Sequence, residues 1–124
     1  MITYSSANKD DELVYIGSPE SLGATTLSET EIKLYARLDL GGGEAPLTTG
    51  LFEVTKGRFR FTYPFSELAT LIEGEIEITD ESGNSVTYEG GDGRSWFIRK
   101  GATVIWDVKS EKARKSFFSA TTDI

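Results

Sequence analysis

The chain contains neither cysteine nor histidine, and its 124 residues include one methionine and three prolines. The missing cysteines exclude disulfides, thiolate metal sites and a cysteine nucleophile. The missing histidines remove the commonest metal ligand and the side chain whose ordinary pKa lies nearest 7. Any acid–base chemistry would therefore fall to carboxylates, lysines or tyrosines.

Positive charge is also scarce, because 13 Lys and Arg residues stand against 20 Asp and Glu residues, a formal net charge of −7. Such a field repels nucleic-acid phosphates and anionic membranes, so we expect neither as a partner. Residues 1–13 are polar and acidic and lack the apolar run of a signal peptide. No segment approaches the roughly 20 apolar residues of a membrane span. We therefore expect a cytoplasmic protein.

Helical periodicity is missing after residue 50, and strand alternation is present instead. Apolar side chains recur at every second position over 59–63 and 75–79, which is typical of strands with one buried face. Asp80–Asn84 is a strong hairpin turn that predicts a returning strand over 85–88. Short strands with turn signals every roughly 8–12 residues indicate an all-β sandwich or barrel.

The same pattern predicts how the whole chain is organised. We expect one domain over 1–124, with an N-terminal arm and edge strands in 1–50 and a barrel core in 51–119. Further strands are predicted over 32–40, 95–98, 103–108 and 114–119. Loops or turns are predicted over 41–50, 90–93, 99–101 and 109–112, with a turn or bulge at Thr55–Gly57.

Five short segments carry a resemblance to a known family. They are Glu67 with Gly74 and Glu75, then Asp80–Gly83, Gly93–Gly101, Trp106–Val108 and Arg114–Lys115. In this order and spacing they make residues 51–118 resemble a cupin domain. The resemblance is to the small single-domain branch grouped with ureidoglycine aminohydrolase and ethanolamine-utilisation cupins. It implies a jelly-roll β-barrel, also called a double-stranded β-helix.

The general cupin pattern holds a transition metal with three histidines and one glutamate. With Glu67 and Gly74 at their places in that pattern, the histidine positions fall on Phe61, Tyr63 and Val104. Neutral imidazoles with a carboxylate hold such a metal, and Phe61 and Val104 offer no lone pair. The resemblance therefore implies a cupin without its usual metal site, and we expect no metal and no cofactor.

Glu67 is the one ligand position that keeps its residue type. Strand parity and the resemblance both direct its carboxylate into the barrel. There it could serve as a tentative catalytic acid or base, or accept a hydrogen bond from a ligand, unless a cation pairs with it. The alternative is a solvent-facing turn residue that follows Pro64.

Four more residues are the predicted walls of the same cavity: Phe61, Tyr63, Val104 and Trp106. Aromatic walls suit flat or apolar small molecules, and Tyr63 is a second tentative catalytic residue. The alternative is plain core packing, because side chains fill the interior of small barrels. Lys115 would cap the cavity or pair with an acidic strand.

Three functions remain open from the sequence. The first is a metal-independent binding domain for a small organic molecule, with an accessory or sensor role in metabolism. The second is an enzyme of ureide or amine metabolism that uses Glu67 with Tyr63 for proton transfer. The third is a structural or interaction protein with a filled barrel. We also expect a homodimer, because cupins commonly pair an N-terminal strand and an arm in 1–40 suits the cover of a sheet edge.

Overall fold

The computed structural model describes residues 1–123. They form nine strands and two short 3₁₀ turns, at Ser6–Asn8 and Pro19–Leu22, and no α-helix occurs in this range. The strands are β1 Val14–Gly17, β2 Thr25–Thr26, β3 Leu34–Leu40, β4 Leu47–Thr62, β5 Ser66–Glu73, β6 Glu75–Thr79, β7 Ser85–Glu89, β8 Ser95–Ile98 and β9 Thr103–Ala120. Over residues 1–123 no helix is long and apolar enough to cross a membrane.

Two long strands, β4 and β9, organise the antiparallel sheet. They pair with each other from Leu47↔Ala120 to Thr62↔Thr103. One half of this pair is extended by β3 and β1 on one side and by β5 and β8 on the other. The other half is extended by β2 and by the β6–β7 hairpin. The inner side chains of both halves share one core cluster, which includes Leu34, Leu71, Phe59 and Trp106.

A bulge divides each long strand at the point where the halves meet. The register passes from Thr55↔Lys112 to Gly57↔Val108, so three residues of β9 lie opposite Lys56. The turn predicted over 109–112 is therefore wrong, because β9 continues through this segment. Its polar residues form a bulge that bends the strand without ending it. The loop predicted over 41–50 was also too long, because β4 begins at Leu47.

The bulge changes which residues point inward. Before it, the inner side chains of β9 have even numbers, as at Val104 and Trp106. After it they have odd numbers, as at Ala113 and Lys115. Successive side chains of a strand point to opposite faces. The bulge in β9 takes up three residues, 109–111, and this odd number reverses the alternation beyond it. This reversal carries Lys115 into the barrel.

The N-terminal segment lies on the outer face of the sheet. The buried Arg114 guanidinium donates to the backbone carbonyls of Asn8 (2.7 Å) and Asp11 (2.8 Å) and pairs with Glu53 (2.9 Å). Arg37 adds an ion pair to the Asp11 carboxylate at 2.8 Å. The arm predicted in 1–50 is thus held on its own sheet at this end. The predicted division after residue 50 is crossed by β4.

Candidate functional site

A cavity of about 390 Å³ opens on the inner face of the barrel. Strands β3, β4, β5 and β9 supply most of its wall, and Ile16, Leu22 and Leu38 lie at its more exposed margin. Most lining side chains are apolar. The polar ones are Thr48, Tyr63, Glu67, Lys115, Ser119 and Thr121. A small set of polar groups in an apolar cavity of this size is typical of a site for a small organic molecule.

A buried ion pair lies in this cavity. Lys115 Nζ is 2.5 Å from Glu67 Oε1, and the two residues are 6% and 4% exposed. Buried charges are costly unless they are paired, so each group needs the other. Within residues 1–123, Glu67 Oε2 accepts no hydrogen bond and Lys115 donates only one. The pair therefore keeps one acceptor atom and two N–H donors for another molecule.

Two aromatic rings enclose the ammonium group of Lys115. Its Nζ atom lies 4.9 Å from the centre of the Phe52 ring and 4.7 Å from that of the Trp106 ring. Phe52 is the β4 residue directly opposite Lys115 in the register, which explains the first contact. The electron-rich faces of such rings attract a cation. The rings and the Glu67 carboxylate together hold the ammonium in place.

Tyr63 places its phenol beside the ion pair. Its hydroxyl oxygen accepts a hydrogen bond from Trp106 Nε1 at 3.2 Å. Burial raises the pKa of Tyr63 well above its ordinary value, and the negative charge of Glu67 raises it further. The phenol therefore stays protonated at neutral pH. Its hydrogen has no acceptor among the described residues, so Tyr63 is a further donor toward the cavity.

The structure brings four of the five predicted wall residues together. Phe61, Tyr63, Glu67 and Trp106 line the cavity. Val104, one inward position before Trp106 on β9, is buried in the core but does not line the cavity. The rings of Phe61 and Tyr63 are 4.6 Å apart between centres, and Trp106 stacks on Phe59. These rings form an aromatic wall that reaches the ion pair through Trp106.

Several lining residues were not found from the sequence. Phe52, Phe117 and Ser119 depend on the parity change at the bulge, which no turn signal reveals. Ile16, Leu22 and Leu38 belong to the weakly patterned first third of the chain. Lys115 was singled out only as a cap or a partner of an acidic strand. The partner is Glu67, on the neighbouring strand β5. No local sequence signal shows this pairing, because it depends on the parity change at the bulge.

Comparison with known proteins defines the class to which this fold belongs. A model described as the EutQ-like cupin domain matches residues 42–117. The fold is thus the cupin jelly roll, as predicted. The chain belongs to the EutQ-like cupin domain family. No protein with a curated description matches it in sequence.

Solved structures of other proteins have the same fold. EutQ from Clostridium difficile is 25% identical, with a TM-score of 0.60 over 74% of this chain and 65% of that chain. A putative ethanolamine utilization protein Q from Salmonella typhimurium LT2 is 19% identical, with a TM-score of 0.58 over 76% and 72%. A DUF861-family protein of unknown function from Pseudomonas syringae pv. tomato is 21% identical, with a TM-score of 0.74 over 90% and 46%. The chain spans less than two thirds of the Clostridium and Pseudomonas chains.

The residues present do not fit the metal that the cupin fold implies. Among residues 1–123 no group of three or more His, Cys, Asp or Glu side chains could hold a metal ion. Lys115 already supplies the positive charge beside Glu67, and a metal ion would be repelled by its ammonium.

Proposed function

We propose that this protein binds a small organic molecule in the barrel cavity without a metal ion. The observation that carries the proposal is the Glu67–Lys115 pair, whose unused acceptor and donors adjoin an apolar cavity of about 390 Å³. Such a cavity gains affinity from apolar burial and orientation from a few polar groups. An open volume of this size argues against a barrel that is filled by its own side chains.

The polar groups indicate the chemistry of the ligand. Lys115 and Tyr63 offer N–H and O–H donors, whereas Glu67 offers one carboxylate oxygen. A ligand with an apolar or aromatic body and a carbonyl-type oxygen satisfies the donors. A neutral ligand fits best, because a second anion beside Glu67 would be costly in a site of low dielectric. We place this binding in an accessory or sensor role in small-molecule metabolism.

Screening of small organic compounds by NMR tests this proposal. The chain has two tryptophans, so their indole N–H signals form a built-in comparison. Trp106 lines the cavity and Trp96 does not. We expect a ligand to shift the Trp106 signal more than the Trp96 signal. A screen in which no compound shifts Trp106 would contradict the proposal.

Matched variants test the role of Lys115 in binding. Lys115→Met, paired with Glu67→Gln to avoid an unpaired buried charge, should weaken carbonyl-bearing ligands by about tenfold or more, equivalent to one charge-assisted hydrogen bond. Purely apolar ligands should keep their affinity. Lys109→Met, at an exposed strand position, is the control and should bind both kinds as the parent does.

A further inference from the structure

We infer that Lys115 is a site of reversible covalent capture for aldehydes and ketones, which it would bind as an imine. This inference rests on the proposed function, because the carbonyl compound must first occupy the cavity. A primary amine that is held in an apolar cavity beside a proton-transfer group is the arrangement that imine formation requires. Lys115, Glu67 and Tyr63 supply that arrangement.

The first requirement is a neutral amine, and Glu67 can produce it. The Glu67 oxygen is 2.5 Å from Lys115 Nζ, so a proton can pass directly between them. Transfer turns a pair of charges into a neutral amine and a neutral carboxylic acid. Both side chains are buried, so the proton passes between them out of contact with bulk water.

The second requirement is access for the carbonyl carbon. Phe52 and Trp106 lie against the ammonium at 4.9 and 4.7 Å, and the cavity lies on its remaining side. The carbonyl oxygen can accept a hydrogen bond from the protonated Tyr63 phenol, whose only described hydrogen bond is accepted from Trp106. That bond would polarise the carbonyl toward attack by the amine.

The reaction balances without an oxidant or reductant. Lys115 passes one proton to Glu67, and its nitrogen adds to the carbonyl carbon as the carbonyl π bond breaks. A second proton moves from nitrogen to oxygen to give a carbinolamine. Glu67 returns its proton to the hydroxyl group, which leaves as water while the C=N bond forms. The products are one water molecule and a protonated imine paired with the Glu67 carboxylate.

Reductive trapping of 3-phenylpropanal tests the inference. The full chain is incubated with this aldehyde and sodium cyanoborohydride, which reduces an imine to a stable amine. The expected product is heavier by the aldehyde less one oxygen atom. Peptide mapping should place it on Lys115 ahead of the other six lysines. Labelling spread evenly over the lysines would overturn the inference, and this readout needs no variant.

Variants and a non-reactive analogue show whether the covalent step or the binding itself fails. Glu67→Gln should slow trapping at Lys115 by about 10²-fold, the usual contribution of a general acid–base group. The Glu67→Gln, Lys115→Met double variant should lose the preferred label altogether, and Lys109→Met should keep it. 3-Phenylpropanol fills the same space but forms no imine. If it binds and the aldehyde is not trapped, the covalent inference is wrong and the binding proposal stands. If neither compound binds, the covalent inference is wrong, and the Trp106 signal in the compound screen decides the binding proposal separately.

Discussion

At the scale of single residues, the Glu67–Lys115 pair decides the character of the site. A glutamate that in a metal-bearing cupin would face a metal ion here faces an ammonium at 2.5 Å. Both groups are nearly inaccessible to water, so their charges are balanced only by each other. With Lys115 beside it, Glu67 belongs to an ion pair with no net charge that can form hydrogen bonds, and it is not a metal ligand. This pairing explains why the retained glutamate alone says little about chemistry.

We expect the buried Glu67–Lys115 pair to affect the stability of the fold in a specific way. Lys115→Met should lower the free energy of unfolding by about 3–5 kcal/mol, because it leaves the Glu67 carboxylate buried without a partner. Adding Glu67→Gln should recover part of that loss, since no buried charge remains. Urea unfolding of the parent, the single variant and the double variant checks this. A double variant no more stable than Lys115→Met would contradict it.

The raised pKa of the Tyr63 phenol should make the folded protein less stable at high pH. Its pKa is raised in the folded protein, so the folded state keeps the phenol proton after the unfolded state, with a pKa of about 10, has lost it. The free energy of unfolding should therefore be unaffected by Tyr63 below about pH 10 and should fall as the pH rises beyond it. Tyr63→Phe should reduce this fall in thermal unfolding measured at a series of pH values. An equal fall in the parent and in Tyr63→Phe would contradict this prediction.

At the scale of elements, the bends of the long strands shape the cavity. Gly74 joins β5 to β6 with a φ of +96°, at the position where β9 bulges. A side chain there would collide with the backbone carbonyl oxygen of Lys112. Gly74 thus allows the junction of β5 and β6 to approach the bulge of β9 closely.

Substitution of two glycines separates backbone strain from collision. Gly83 has a similar φ of +87°, but a Cβ atom there would meet nothing within 4 Å. Gly83→Ala should cost only the left-handed conformation, about 1–2 kcal/mol. Gly74→Ala should cost that and the collision, in total about 3 kcal/mol or more. Chemical denaturation checks the difference, and equal losses at both positions would show that the Gly74 contact relaxes freely.

At the scale of the whole molecule, the homodimer remains a prediction. The arm predicted to cover a sheet edge is held on its own sheet by Arg114. Strand β1 ends the sheet, and its Val14 and Tyr15 are 69% and 57% exposed. An exposed apolar edge strand pairs readily with another copy. We expect dimers that form through this edge.

Light scattering at micromolar concentration tests the dimer. The parent should have the mass of two chains, and Tyr15→Lys should shift the mass toward one chain, because a lysine on an edge strand opposes pairing. Val86→Lys, on the exposed face of β7, is the matched control and should leave the mass unchanged. A parent protein with the mass of one chain would contradict the prediction.

Much of the fold could be predicted from local pattern alone. The alternation over 75–79, the turn at Asp80–Asn84 and the returning strand are confirmed as β6 and β7. Phe61 and Tyr63 point inward as their parity indicates. These features depend on side chains one or two positions apart, so a linear sequence contains them. The turn expected over 109–112 is wrong because β9 pairs with β4 on both sides of a bulge, at Val108 and at Lys112, and continues as one strand.

By itself, the sequence determined an all-β barrel or sandwich, and its resemblance to cupins implied a jelly roll without the histidines of the usual metal site. Strand period suffices for the first inference, and folding cannot supply residue types that the chain lacks. Only the tertiary structure decided that Lys115 would meet Glu67 and that an open cavity would remain around them. Those outcomes depend on a bulge that reverses strand parity and on contacts between residues 48 positions apart. Contacts at that separation follow from the pairing of strands, which no local pattern encodes.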